Sequence, residues 1–127
     1  MAFEDLESWK RSCRLSATLY TSTSELRDYG FRDQLTRSGL SVPSNIAEGY
    51  ERNSDREIAQ FLKIAKGSLG ELRTQIYIGI EAQYFEKAMA LAWVEETKQL
   101  GRMLGAMIKY HKSRSGKNTK KKSKKKS

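Results

Sequence analysis

The chain has 127 residues, a formal net charge of +9, 38% hydrophobic residues, one cysteine and one histidine. One domain is the expectation at this length. A lone Cys13 excludes an internal disulfide and a cysteine-based metal cluster, and no apolar run approaches the ~18 residues of a membrane span. Met1 to Lys10 holds acids and no apolar run, unlike a signal peptide, so a cytoplasmic protein is expected. The charge is unevenly spread. Residues 109–127 carry ten cations and no acid, leaving 14 cations and 15 acids, a net −1, for residues 1–108.

The first element predicted is a helix from about Glu4 to Ser24. Leu6, Trp9, Cys13, Ala17 and Tyr20 form its apolar stripe, widened by Leu15 and Leu19. Acids at Glu4, Asp5 and Glu7 suit the positive end of a helix. Tyr29-Gly30 reads as a turn.

A second helix is expected from about Phe31 to Gly49, with the chain's single proline, Pro43, inside it. Proline removes a backbone donor and crowds the carbonyl four residues back, that of Gly39, so a kink is expected. Val42, Ile46 and Gly49 keep one face apolar through it. Asn45 and Glu48 lie beside that face. They are expected to bond to the backbone freed by Pro43, or to Ser68, Thr74 and Gln75 on the next helix.

The third helix has the clearest start. Ser54-Asp55-Arg56-Glu57 reads as a capping box, with the serine accepting a backbone N–H and the glutamate reaching back. From there to about Gln83, Ile58, Leu62, Ala65, Leu69, Leu72, Ile76 and Gly79 step at four and three residues, the seam of a bundle. Gly67 and Gly70, one turn apart, each cost about 1 kcal/mol relative to alanine. They are read as a close approach by a neighbouring helix or subunit.

A fourth helix is expected from about Glu86 to Lys109. Met89, Trp93, Leu100, Leu104 and Met107 point inward, flanked by Leu91, Val94, Met103 and Ile108. Gly101 and Gly105 suggest another close contact. The result is an all-α, antiparallel up-down-up-down four-helix bundle over residues 1–111. It is followed by a flexible Lys-rich tail over 112–127, too poor in apolar residues to fold alone.

Two blocks carry a resemblance. Ser41-Val42-Pro43-Ser44-Asn45-Ile46-Ala47-Glu48-Gly49 is similar to the signature of four-helix-bundle proteins encoded in intervening sequences of bacterial large-subunit rRNA genes. The second block is Phe61-Leu62-Lys63-Ile64-Ala65-Lys66-Gly67-Ser68-Leu69-Gly70-Glu71-Leu72-Arg73-Thr74-Gln75. Phe3, Leu6 and Trp9 fit as well, so the likeness covers roughly residues 3 to 108. One departure is Arg37-Ser38-Gly39, where relatives usually read Arg-Ala-Ala. The family is related to the accessory variability determinant proteins of diversity-generating retroelements. The resemblance therefore implies a homopentameric barrel of bundles and, for the retroelement branch, binding to nucleic acid and to a reverse transcriptase.

No catalytic set is evident. The single His111 sits at the root of the basic segment, where it is expected to blend into that segment or meet the end of the fourth helix. Cys13, on an apolar stripe, reads as an inert thiol. Glu48, Glu71 and Asn45 are the one set worth weighing for acid–base work or for a metal. The Glu-x-x-His pairs of di-metal bundles are absent, so a structural role is assigned to Pro43, Asn45, Glu48, Gly49, Gly67, Ser68 and Glu71, with no metal and no cofactor. Nucleic-acid binding is assigned to Lys109, Lys112, Arg114, Lys117, Lys120, Lys121, Lys122, Lys124, Lys125 and Lys126. Such a run binds phosphate without reading bases; RNA is preferred over DNA as the expected partner. The alternative is a structural or protein-interaction bundle whose tail serves solubility alone.

Overall fold

The computed structural model describes the backbone of residues 2–126 and the side chains of residues 2–116. After a 3-10 turn at Phe3–Asp5 come four helices: α1 (Glu7–Ser22), α2 (Tyr29–Tyr50), α3 (Asp55–Glu81) and α4 (Lys87–Lys126). Each helix packs on the next in the chain, and α1 closes the ring against α4; the backbones of the diagonal pairs stay apart. This is the expected antiparallel four-helix bundle, with no strand among the described residues.

The core is a single cluster. Leu19, Leu35, Ile46, Leu62, Leu69, Leu72, Ile76, Leu100 and Leu104 are fully buried. The α3 seam is as the spacing predicts, from Leu62 to Gly79, with Ile58 half-buried at its start. Ser54 caps α3 by accepting the Glu57 amide at 3.2 Å. The reciprocal half of the box is not made: Glu57 lies 4.0 Å from Arg52 instead.

α1 corrects the sequence reading. Its buried face is Ser8, Ser12, Leu15, Ser16 and Leu19, whereas Ala17 and Tyr20 are exposed and Trp9 and Cys13 only half-buried. Small residues let α1 lie close to α2. A Cβ on Gly39 would stand 2.8 Å from Leu19 Cδ1 and 3.8 Å from the Ser16 Cα. The Arg37-Ser38-Gly39 departure therefore sits at a tight α1–α2 contact. Burial pushes the Cys13 thiol up, which opposes thiolate formation.

α2 begins two residues earlier than expected because Asp28 caps it, accepting the Phe31 amide at 3.1 Å. The Tyr84 hydroxyl donates to the same carboxylate at 2.7 Å. Tyr84 first, and the Phe31 amide second, hold the Asp28 carboxyl below its usual value. The stability this group contributes is thus complete above the ordinary aspartate range near pH 4 and is lost as pH falls through the lowered value. An Asp28→Asn variant should show a shallower acid limb below about pH 4 in an unfolding titration followed by circular dichroism.

α3 ends in a Schellman turn. The Gln83 amide donates to Ile80 O at 3.0 Å and the Tyr84 amide to Gly79 O at 2.8 Å, with Gln83 at φ 63°. This turn delivers Phe85 onto Gly79. A Cβ on Gly79 would stand 2.3 Å from Phe85 Cε2 and 3.3 Å from Phe31 Cζ. Phe85 cannot yield freely, since Trp93 packs edge-on at 5.1 Å. Gly79→Ala should therefore destabilise by about 2 kcal/mol despite its better helix propensity. Gly70→Ala, with nothing within 4 Å of the added carbon, should stabilise by up to about 1 kcal/mol. Opposite shifts in urea midpoint check the pair.

That open space also corrects one expectation: neither Gly67 nor Gly70 is approached by another helix of this chain, and both are exposed. On α4, Met89 and Leu91 turn outward and Ala90 takes the inward position. α4 does not stop near Lys109; it continues as helix.

Candidate nucleic-acid interface

The continuation of α4 places the root of the basic segment. The seam through Leu100 and Leu104 carries on to Ile108 and His111, and His111 is only 6% exposed. It does not blend into the cationic segment. Its Nε2 meets the Tyr50 hydroxyl at 2.8 Å and its Nδ1 meets Asp55 Oδ1 at 2.7 Å. These three residues come from the end of α2, the first residue of α3 and α4. Arg114, one turn further, reaches Asp55 Oδ2 at 3.5 Å and donates to the Tyr110 hydroxyl at 2.9 Å.

The carboxylate of Asp55 fixes Nδ1 as the donor, leaving Nε2 to face Tyr50. Desolvation, with smaller contributions from Tyr110 and Asp55, raises the Tyr50 hydroxyl above its usual value. The trio is a chain of hydrogen bonds that joins three helices. It acts as a clamp that ties the start of the cationic segment to the body. Beside it lies a cavity of about 610 Å³, floored by Ile58, Met103 and Met107 and rimmed by Arg52 and Tyr110.

Of the ten predicted phosphate-binding cations, three have described side chains. Lys109 and Lys112 are exposed, and Arg114 is drawn toward Asp55. Lys117, Lys120, Lys121, Lys122, Lys124, Lys125 and Lys126 lie outside the residues whose side chains are described, as does most of the flexible tail expected over 112–127. Residues 112–116 continue α4.

The motif around the proline is also placed. Pro43 is buried inside an uninterrupted α2. The Asn45 amide donates to Ser41 O at 2.8 Å and to Ser41 Oγ at 2.9 Å, and Ser41 Oγ meets Ser68 Oγ at 2.9 Å. Asn45 thus links α2 to α3 through Ser41 rather than by capping the Gly39 carbonyl. Gly49 is a true close approach, its missing Cβ 2.9 Å from Phe61 Cβ. Glu48 departs from expectation: it is exposed and pairs with Arg52 at 2.6 Å, an i,i+4 contact with no reach to α3. Glu71 is likewise exposed. No group of three His, Cys, Asp or Glu side chains able to hold a metal occurs among the described residues. No helix among them is long and apolar enough to cross a membrane.

The profile of a family described as 23S rRNA-intervening sequence protein matches residues 4–106. The chain belongs to this family. A solved structure of similar fold is a protein with unknown function from the S23 ribosomal protein family of Bacteroides thetaiotaomicron. It is 20% identical, with a TM-score of 0.75 over 80% of this chain and 98% of the other. Among curated proteins none matches. The matched span contains the Pro43 motif, Ser68 and both ends of the Asn45 link. It stops before Lys109 and before the clamp histidine.

Proposed function

We propose that this protein is a non-catalytic, homo-oligomeric nucleic-acid-binding protein that contacts phosphates, of RNA in preference to DNA, through its cationic C-terminal segment. The observation that carries the reading is the charge partition. Ten cations without an acid follow a body of net −1, and they leave it from a helix that His111 holds in place. A polyanion is the partner such a segment attracts, by releasing condensed counterions.

Self-association is supported by the outer face of α3. Ile64, Tyr77 and Ile78 are 52%, 43% and 52% exposed, and Gly67 and Gly70 between them are open. A five-membered ring, the assembly implied by the resemblance, would bring several cationic segments to one strand and multiply affinity. In the retroelement branch a reverse transcriptase would be the protein partner; a neighbouring gene for one selects that branch. The same α3 face supports the second reading, a purely protein-interaction bundle.

The test compares the full chain with a version ending at Gly116 in mobility-shift titrations of RNA and DNA across salt. Loss of most affinity on truncation is expected, with light scattering showing the same assembly for both. Equal binding by the two versions overturns the assignment.

A further inference from the structure

Charge on the body is balanced in sum but not in position. On the flank of α3 that faces α4, the charged residues between Arg56 and Arg73 are all cations, while Glu57 and Glu71 fall on the other flank by helical phase. Two cavities open along this groove. One, of about 300 Å³, is lined by Lys66, Arg73, Lys98, Gly101, Arg102 and Gly105. The second, of about 270 Å³, is lined by Arg56, Ala59, Gln60, Lys63, Lys112 and Ser115. Neither lining contains an acid.

The first cavity is a built cradle. Arg73 is held from below: its Nε donates to Thr97 Oγ1 at 3.0 Å, and Thr97 is fully buried. That bond fixes the guanidinium and leaves its terminal nitrogens for an external acceptor. The glycine pair of α4 is explained here. A Cβ on Gly105 would stand 3.5 Å from Lys66 Nζ and one on Gly101 3.8 Å from an Arg73 terminal nitrogen, so the pair makes room for cationic tips rather than for another backbone. Lys66, Arg73 and Lys98 form no ion pair among the described residues; Arg102 lies 3.6 Å from Glu95 with both side chains exposed. In the second cavity Lys63 and Lys112 are close enough that Lys112 depresses the Lys63 ammonium. Cations crowded without an acid between them are what a bound anion would relieve.

We propose that the α3–α4 groove binds successive phosphates of a nucleic-acid backbone, as a second contact surface on the body distinct from residues 117–127. This rests on the nucleic-acid reading above and extends it. From Arg56 to Arg73 the groove runs about 26 Å, room for several phosphates. Its linings hold no aromatic side chain to stack on bases, so recognition is independent of sequence.

The test uses the full chain. The triple variant Lys66→Gln, Lys98→Gln, Arg102→Gln is compared with a control triple of equal charge loss elsewhere, Lys10→Gln, Arg37→Gln, Lys87→Gln. Binding of a 20-nucleotide RNA is measured by fluorescence anisotropy across salt. The groove triple should reduce the slope of log affinity against log salt by about 2 to 3, at roughly 0.7 to 0.9 per phosphate contact, and the control by much less. Gly105→Glu, whose Cβ would meet nothing nearer than Lys66 Nζ at 3.5 Å, sets an acid in the cradle and should reproduce the loss. Equal effects of the two triples overturn the groove while leaving the cationic segment as the binding element. No binding by the unmodified chain sinks the nucleic-acid reading itself. Inorganic phosphate at matched phosphate concentration should not compete; competition on equal terms would replace the backbone assignment with a free-phosphate site.

Discussion

Replacing His111 with alanine should destabilise the folded chain by about 3 kcal/mol, or roughly 10 °C in thermal midpoint for a domain of this size. The imidazole fills a buried position and satisfies two partly buried groups, the Tyr50 hydroxyl and one oxygen of Asp55. Asp55 is a carboxylate with a side chain only 13% exposed. Losing a partner there costs more than losing one hydrogen bond at the surface, because the charge remains where water reaches it poorly. Tyr50→Phe, which deletes a single hydroxyl and keeps the ring packing, should cost only about 1 kcal/mol. Urea denaturation of the three proteins decides the matter. A His111→Ala loss no larger than that of Tyr50→Phe would show that the clamp contributes little.

Ending the chain after Gly116 should remove most of the salt dependence of nucleic-acid binding. Seven of the ten cations lie beyond that point. If each meets a phosphate, their combined slope in a log–log salt plot is about 5 to 6, and affinity falls about a thousandfold or more between 50 and 200 mM salt. The truncated chain should lose affinity at low salt and flatten that slope; an unchanged slope would place binding on the body alone. The position of the cut matters. A chain ending at Ile108 would also lose His111, and unfolding would then pass for lost binding. A cut after Gly116 leaves the clamp whole.

The bundle was legible because three of its four helices advertise their buried faces with large apolar side chains. Leu62, Leu69, Leu72 and Ile76 on α3 needed no more than their spacing. α1 hid its inner face because serine at positions 8, 12 and 16 reads as polar, while Ser12 donates within its own helix to Trp9 O at 2.9 Å and Ser8 donates across to the Met107 sulfur on α4 at 3.5 Å. The clamp was hidden for a related reason. His111 belongs to the α4 seam by phase, but a histidine beside lysines is read with the charges unless its partners, Tyr50 and Asp55, are known to be near. The basic C-terminal run was plain. The groove was not, since a net charge of −1 over 1–108 conceals how the 14 cations and 15 acids are sorted around the helices. Glu48 misled through its place in a motif: i,i+4 pairing with Arg52 is satisfied on its own surface.

The two tryptophans stand at opposite ends of the molecule. Trp9 packs edge-on to Phe3 at 5.3 Å near the start of α1, and Trp93 packs on Phe85 near the start of α4. Because α1 and α4 run antiparallel, these indoles bracket the long axis as two separate optical reporters. Emission from Trp9 senses loosening at the end where the polybasic arm departs, and emission from Trp93 senses the aromatic knot at the far end. Whether the molecule melts as one unit or opens first at one extremity is therefore written into its intrinsic fluorescence.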